Sequence, residues 1–438
     1  MKKLVFPIIA STLLAAHFSR VQNDWLALAC LISPLIFLVK RQWILMIYQS
    51  YLAVGGIVWI VRTVELVRIR QSEGQPWLRL AVILMAVSVF TFLSVLALRD
   101  KKIQARYEQK LSDAGRKPSW PSNAAFLLTA VLLSIIHIKI SPPVLLLERF
   151  FPGAGPVEIA LLAFYAGWVT EIMLTIKRSA KIRALIWSLF SGVFFAQFIL
   201  GLSGLNKFMM TGKLHLPIPA MIIAGPVFRG SGFFMLILFL STTLIAGTAW
   251  CSHLCYIGAW DNVFSKNTHR PSSLPRWSKA ARIGILLSIV IAAIVFRIMG
   301  MNPATAAVIA ILYGITGVGI MVFISRKKGI MTHCTVYCPI GLLANLIGKL
   351  NPFRIRFTDN CDGCGACQPY CRYNALTKTD IQQRTPGLSC TLCGDCLPGC
   401  PKQALRYKLF DFSAKNARNI FLITIISLHA VFLGVARL

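Results

Sequence analysis

Acidic residues are scarce: 15 Asp and Glu stand against 46 Lys and Arg, for a formal net charge of +31 over 438 residues. Charge of either sign is sparse as well, at 14% of the chain, where soluble globular domains carry about 25%. Such a composition argues against a soluble electron carrier or any other soluble domain. Missing motifs exclude further classes. No Cys-x2-Cys-His run offers a covalent haem attachment site, and no Gly-x-Gly-x-x-Gly loop would bind NAD or FAD.

What fills the chain is apolar. Hydrophobic residues make up 56% of it and the mean hydropathy is +0.67, which places it among membrane proteins. Stretches able to cross a bilayer lie near residues 4–18, 25–39, 43–61, 78–98, 124–140, 157–176, 184–203, 231–249, 283–299, 304–324 and 419–436. The expected fold is therefore mainly α and polytopic, with about eleven transmembrane helices. The first stretch, preceded by Lys2 and Lys3, reads equally well as a signal peptide.

The positive charge reads as orientation rather than as a nucleic-acid surface. Lys40 and Arg41, the run from Arg99 through Lys101, Lys102, Arg106, Lys110 and Arg116 to Lys117, then Lys177, Arg178, Lys181 and Arg183, and finally Arg326, Lys327 and Lys328 fall on one side of an alternating topology. That side is expected to be the cytoplasm. The stretch from Arg62 to Arg79 falls on the other side and breaks the pattern. A bacterial or archaeal plasma membrane is the expected setting, with lipid as a partner.

Between Asn360 and Lys402 one cysteine rhythm is written twice: Cys361, Cys364, Cys367, Cys371, then Cys390, Cys393, Cys396, Cys400, with Pro401 closing the second. Eight thiolates at this spacing predict two [4Fe–4S] clusters. Three cysteines separated by two residues wrap three corners of a cubane, while the fourth serves the other cluster. The expected ligand sets are Cys361, Cys364, Cys367 with Cys400, and Cys390, Cys393, Cys396 with Cys371. Zinc also takes paired Cys-x2-Cys knuckles, but it needs four ligands per ion and leaves the third cysteine of each knuckle surplus. In a reducing cytoplasm these thiols are not expected to form disulfides.

A second cysteine pattern precedes the first. Cys251-Ser-His-Leu-Cys255-Tyr-Ile-Gly258 and Cys334-Thr-Val-Tyr-Cys338-Pro-Ile-Gly341 share Cys-x3-Cys-x-Ile-Gly, with every matched position offset by 83 residues. A constant offset marks an internal repeat, and each motif follows a hydrophobic hairpin, near 184–249 and 283–324. Cysteines four apart on a helix share a face, so two such faces would bring four thiols together. Cys251, Cys255, Cys334 and Cys338 are the candidate ligands of a third iron–sulfur cluster or of one metal ion. Buried cysteines also pack as small hydrophobes, which is the expectation for Cys30.

Other polar residues are candidates with plainer readings beside them. His137, His253 and His333 could ligate a metal or take a quinol proton, or simply pack. Glu171, a carboxylate in an apolar helix, could mark a proton route, its plainer reading being a partner of Lys177 and Arg178. His215-Leu-Pro217-Ile-Pro219, whose close prolines prevent a regular helix, opens a segment that could dip back into the membrane as a quinone site.

The order of hairpin, Cys-x3-Cys, second hairpin, Cys-x3-Cys-Pro and twin ferredoxin motif resembles the membrane polyferredoxin family that includes the NapH quinol dehydrogenase subunit, the nitrous-oxide-reductase accessory protein NosR and the cytochrome-oxidase assembly protein CcoG. The resemblance covers roughly residues 180–410. It implies electron passage between quinone or a cytoplasmic donor and a partner across the membrane, or metal reduction during enzyme maturation. Tyr256 stands where that family has the proline that Pro339 supplies, and Arg372 where a proline commonly follows the fourth cysteine; a cation there would raise a cluster potential. The outer loop near 204–230 is too short for a NosR-like flavin domain.

The expected organisation is an N-terminal transmembrane region 1–120 of unassigned role, a transmembrane core 121–350 with the two repeats, a small cytoplasmic α+β ferredoxin-like domain 351–410, and a C-terminal transmembrane helix 411–438. The expected activity is electron transfer within an oxidoreductase complex, a quinol dehydrogenase being one form, with quinone and partner redox subunits at its ends. The alternative is a copper-reducing maturation factor, since soft thiolates suit Cu(I).

Overall fold

The computed structural model describes residues 5–20, 24–38, 42–98, 100, 103, 119–140, 143–208, 216–268, 271–275 and 277–435. Lys2, Lys3, Lys40, Arg41, Arg99, Lys101, Lys102, Arg106, Lys110, Arg116, Lys117 and His215, which enter the topology and quinone-loop readings, lie outside the described residues. The chain divides into two compact units, residues 1–117 and 118–438.

In the first unit, α1 (Val5–Arg20) packs on α2 (Asp24–Ile32), and α3 (Gln42–Ser72) forms a hairpin with α4 (Leu78–Ala97). The interior is tied by small polar contacts that apolar surroundings make worthwhile. Ser11 Oγ lies 2.5 Å from Tyr48 Oη, and Ser88 Oγ donates to Gly56 O at 3.0 Å. Cys30 is buried beside Leu14, Ala15 and Trp59, a packing position.

The second unit gathers the remaining long helices: α5 (Trp120–Lys139), α6 (Gly155–Met173), α7 (Ile176–Leu202), α8 (Met221–Arg229), α9 (Phe234–Ala246), α10 (Tyr256–Ser265), α11 (Ser278–Ile298), α12 (Pro303–Gly319), α13 (Pro339–Ile347) and α14 (Ala414–Val435). Helices α5, α6 and α14 form one packed group, with Ser122 Oγ donating to Gly167 O at 2.8 Å and Ser427 Oγ to Ala125 O at 3.2 Å. α7 packs on α10, and α11 packs on α13. α12 runs on through a π-helical turn, Ile320–Ser325, to Lys328, where Gly329 at φ +67° ends it. Left-handed backbone at a helix C-terminus is glycine's usual place.

Among the described residues, eight helices are long and apolar enough to cross a membrane. Of the other expected segments, two are shorter among the described residues. Val5–Arg20 has 16 residues, about 24 Å at 1.5 Å per residue, against a hydrocarbon core of about 30 Å. The segment at 25–39 is broken at Ser33, where α2 gives way to a 3-10 turn containing Pro34. The segment at 43–61 lies wholly within the 31-residue α3 as an uncharged apolar run, and the helix then continues through Arg62, Glu65, Arg68 and Arg70; Arg62 and Glu65 pair one turn apart at 2.6 Å.

A small α+β domain completes the second unit. β1 (Arg354–Phe357) pairs antiparallel with β2 (Leu405–Lys408), Arg354 opposite Lys408 and Phe357 opposite Leu405. Between them lies the short helix Lys378–Gln382, closed by a capping box in which Thr377 and Asp380 satisfy each other's backbone amides. The hairpin rests on α14: Tyr407 stacks on Phe421 with ring centroids 4.7 Å apart, and Phe353 meets the same ring at 5.5 Å.

Candidate functional site

The β1–β2 hairpin clamps the two ends of the cysteine-rich segment, so everything from Thr358 to Ala404 must loop out and back. That path crosses itself. Cys361, Cys364 and Cys367 line one cavity together with Cys400, while Cys390, Cys393 and Cys396 line another together with Cys371. The two crossing cysteines are held alike, Cys371 Sγ accepting from Ala375 N at 3.3 Å and Cys400 Sγ from Ala404 N at 3.2 Å. Gly394 sits at φ +75° with Tyr407 Oη only 2.6 Å from where a Cβ would stand, so no side chain fits between that loop and the hairpin. Among the described residues no three His, Cys, Asp or Glu side chains converge on one bare ion; these cysteines ring a cavity instead.

The two cavities differ in depth. Cys364 is exposed, and the ion pair Lys402–Asp362 at 3.0 Å lies at the surface beside it. The Cys371 set is enclosed: burial pushes the thiols of Cys371, Cys390 and Cys393 up to about 12 and raises that of Cys396 as well. Buried thiols of this kind stay protonated at neutral pH unless a metal takes the proton's place. Four soft donors around an enclosed, largely apolar cavity fit an iron–sulfur cubane.

The two Cys-x3-Cys units have one local structure. Cys251 lies in the short helix Trp250–His253 and Cys334 in a π-helical turn, His333–Tyr337. The second cysteine of each leaves the helix and caps the next one, Cys255 at φ −81°, ψ 115° before α10 and Cys338 at φ −77°, ψ 118° before α13. The pairs therefore do not share one continuous helix, as the spacing alone suggests; each spans a helix-to-helix joint. This places Cys255 Sγ toward the amides of Ile257 and Gly258, and Cys338 Sγ toward those of Ile340 and Gly341, which have no partner inside their helices. Neither closes to a full capping hydrogen bond.

The shared glycine now has a reason. A Cβ on Gly258 would stand 3.0 Å from Cys251 O, and one on Gly341 would stand 2.6 Å from Cys334 O. The joint closes only if that residue has no side chain. The two joints lie near each other, with Cys251, Cys255, Cys334 and Cys338 within electrostatic reach of one another. Asp261 crosses between the repeats, accepting from Cys334 N at 3.0 Å; burial raises its carboxyl to about 6.

A buried junction joins these four cysteines to the deeper ferredoxin cavity. Trp187, Ala259, Met331 and Tyr373 form a small core against which Cys334, Cys371 and Cys393 are all packed. Trp187 Nε1 donates to Cys255 O at 2.7 Å, and Tyr373 Oη reaches toward Cys251 O at 3.5 Å. Arg183, 1% exposed, grips Asp395 of the second cysteine loop with Nε at 2.8 Å and Nη2 at 2.5 Å, and donates to Ser252 O at 3.0 Å. Ser252 Oγ donates in turn to Thr391 O at 2.9 Å. Arg372 is committed to the carbonyls of Ser265, Thr268 and Gly329, at 3.2, 2.7 and 2.9 Å. Its guanidinium anchors the ferredoxin segment to the helices rather than facing into the cysteine cavity.

The remaining candidates are placed as follows. His253 donates or accepts through Nδ1 with Ser252 Oγ at 3.0 Å, while its Nε2 is buried without a partner. His333 packs 5.5 Å from the Tyr337 ring with both ring nitrogens unpartnered. His137 lies against Gly155 and Glu148. Glu171 turns to Ser119, accepting from its N at 3.0 Å and its Oγ at 2.5 Å, because the start of α5 offers unpaired amides and a positive dipole end; it does not pair with Lys177 or Arg178. Residues that spacing could not reveal are Arg183, Asp395, Trp187, Tyr373 and Asp261, which come from separate elements. Asn262 and Asn345 carried a signal, the same 83-residue offset, and both are buried.

A family model described as a 4Fe-4S binding domain matches the chain twice, over residues 228–275 and 310–358. Each match encloses one Cys-x3-Cys joint. Among curated proteins, YccM of Escherichia coli (strain K12), named as an electron transport protein, is 25% identical over 225 residues, 46% of this chain and 59% of its own length. MauN of Paracoccus denitrificans (strain Pd 1222), named as a methylamine utilization ferredoxin-type protein, is 25% identical over 218 residues, 45% of this chain and 70% of its own. An uncharacterized protein of Methanocaldococcus jannaschii is 28% identical over 87 residues, 20% of this chain and 34% of its own. The chain thus spans less than two thirds of the length of YccM and of the archaeal protein. No solved structure matches.

Proposed function

We propose, from the premise that this chain is a membrane-type ferredoxin with an electron-transport role, that it relays single electrons between a ferredoxin domain with two [4Fe–4S] clusters, a third centre at Cys251, Cys255, Cys334 and Cys338, and quinone or a partner redox subunit. One observation carries the reading: Cys371 and Cys393 of the deeper ferredoxin cavity and Cys334 of the second joint pack on the same buried core of Trp187 and Tyr373. A [4Fe–4S] cluster, when bound, supplies one-electron chemistry.

The residues divide the work. Cys361, Cys364, Cys367 and Cys400 would hold the cluster nearest the surface, where a donor can reach it. Cys371, Cys390, Cys393 and Cys396 would hold the second, and the four cysteines of the joints the third. Trp187 and Tyr373 fill the space between the second and third sites and keep water out. Arg183 and Arg372 fix the ferredoxin segment in that position through bonds to Asp395 and to three carbonyls. The basic flanks of the apolar helices support a cytoplasmic ferredoxin domain in a bacterial or archaeal plasma membrane.

Anaerobic purification with metal counts and EPR-monitored redox titration tests the proposal. About twelve irons per chain and three titrating centres are expected, falling to about eight and two in a Cys251→Ala, Cys334→Ala variant. Iron near zero sinks the relay. Tight copper at the joints, lost in the same variant with ferredoxin iron intact, would make the chain a copper-reducing maturation factor instead.

A further inference from the structure

Among the described residues Arg282 is a buried cation without a counter-charge. It lies in the second turn of α11, is 7% exposed, and has its Nε buried with no hydrogen-bond partner. Among the described residues no carboxylate forms an ion pair with it. The groups whose charge bears on it are Cys251, Cys338 and Cys334. Its Nη2 lies 3.5 Å from the point where a Cβ on Gly341 would stand, directly over the second joint.

The internal repeat shows why this is unusual. α7 packs on α10 as α11 packs on α13, and each of these outer helices sends one buried arginine to its joint. Arg183 is neutralised by Asp395, and its Nη2 also reaches Asn262 Oδ1 at 3.4 Å. In the other half, Asn345 occupies the place of Asn262 with its Oδ1 buried and unpartnered, and among the described residues no acidic one pairs with Arg282. The nearby carboxylate, Asp261, is turned to the Cys334 amide. A guanidinium stays charged in any protein environment, and burying it unpaired is strongly unfavourable. Neutral thiols do not offset that cost; thiolates around an iron–sulfur core do, because such a centre is anionic and becomes more negative by one charge on reduction.

We propose that Arg282 is the counter-cation of an anionic centre held by Cys251, Cys255, Cys334 and Cys338, and that it raises the reduction potential of that centre. The inference rests on the reading of those four cysteines as a cluster site. Arg282 acts on the sulfurs rather than ligating metal, so it is a positioning and tuning residue. By favouring the more reduced state it draws an electron inward from the Cys371 set.

The test compares full-length wild type, Arg282→Gln and Arg282→Lys by iron count and EPR-monitored redox titration after anaerobic purification. In Arg282→Gln one midpoint of three should fall by a tenfold or larger change in the reduced-to-oxidised ratio, about 59 mV for a one-electron couple, with the other two unmoved and Arg282→Lys close to wild type. Loss of one cluster's iron in Arg282→Gln, with retention in Arg282→Lys, would support the same role. Three unmoved centres in Arg282→Gln would overturn it while leaving the cluster reading intact, and so would a lysine variant that behaves like the glutamine one. A wild type with about eight irons and two centres would remove the third cluster and this inference with it.

Discussion

At the scale of single residues, the arrangement turns on atoms that are absent as much as on those present. Gly258 and Gly341 close their joints because nothing stands between them and the carbonyls of Cys251 and Cys334. An alanine at Gly341 must displace a carbonyl 2.6 Å away, an overpacking that typically costs about 1–3 kcal/mol. Gly341→Ala is therefore expected to lower the thermal midpoint of the detergent-solubilised protein and to reduce its iron content, while the twin ferredoxin signals survive. The buried thiols have a pH signature. Cys371, Cys390 and Cys393 are raised to about 12 from an ordinary 9.0 by burial, so the metal-free fold binds more protons than the unfolded chain. Its stability should be fully present below pH 9 and fall as pH rises toward 12; chemical unfolding of the apo protein at pH 7 and pH 10 would show the lower midpoint at pH 10. Iron binding should release close to one proton per ligating cysteine, measurable by pH-stat during reconstitution.

At the scale of elements, the ferredoxin segment is fastened to the helices by a few long-range bonds. The ion pair of Arg183 on α7 with Asp395 is the most consequential, since both groups are largely withdrawn from water. Removing one partner of such a pair commonly destabilises by about 3–5 kcal/mol. Asp395→Asn should loosen the loop 390–400 against α7 and α10, seen as faster amide hydrogen exchange there, and should slow electron passage between the second and third centres more than it alters their iron content. Unchanged exchange in that loop would mean that the Arg372 anchor alone suffices. The same scale explains the two departures from a pattern-based reading. A Cys-x3-Cys spacing suits one helical face, yet a helix joint at the second cysteine also brings unpaired amides to its sulfur, and the fold adopts the joint. Glu171 likewise turns from Lys177 and Arg178 to the start of α5, because helix-end amides are oriented donors whereas exposed cations are hydrated.

At the scale of the whole molecule, the described residues hold eight helices able to cross a membrane and a cysteine-rich α+β domain, which in the proposed reading together serve one-electron traffic. If the basic loops orient it as proposed, a reporter inserted near residue 385, on the exposed turn between the two cysteine loops, should be active only in its cytoplasmic form. Activity of a periplasmic reporter there would reverse the topology. The cysteine spacings, the 83-residue repeat and the apolar runs were legible in the chain because each is a local or periodic property: cluster-binding loops, helix length and bilayer thickness act over a few residues to a few turns. The crossing of Cys371 and Cys400 between cavities was also expected from spacing, since short loops allow few ways to ring a cubane. Tertiary structure alone decided that Trp187, Tyr373, Arg183 and Asp395 meet between two cysteine sites, and that Arg282 is left beside the cysteine joint with no carboxylate paired to it among the described residues. Those residues lie on separate elements tens to hundreds of positions apart, and only the packing of low-dielectric helices determines which charges end up together and which end up alone.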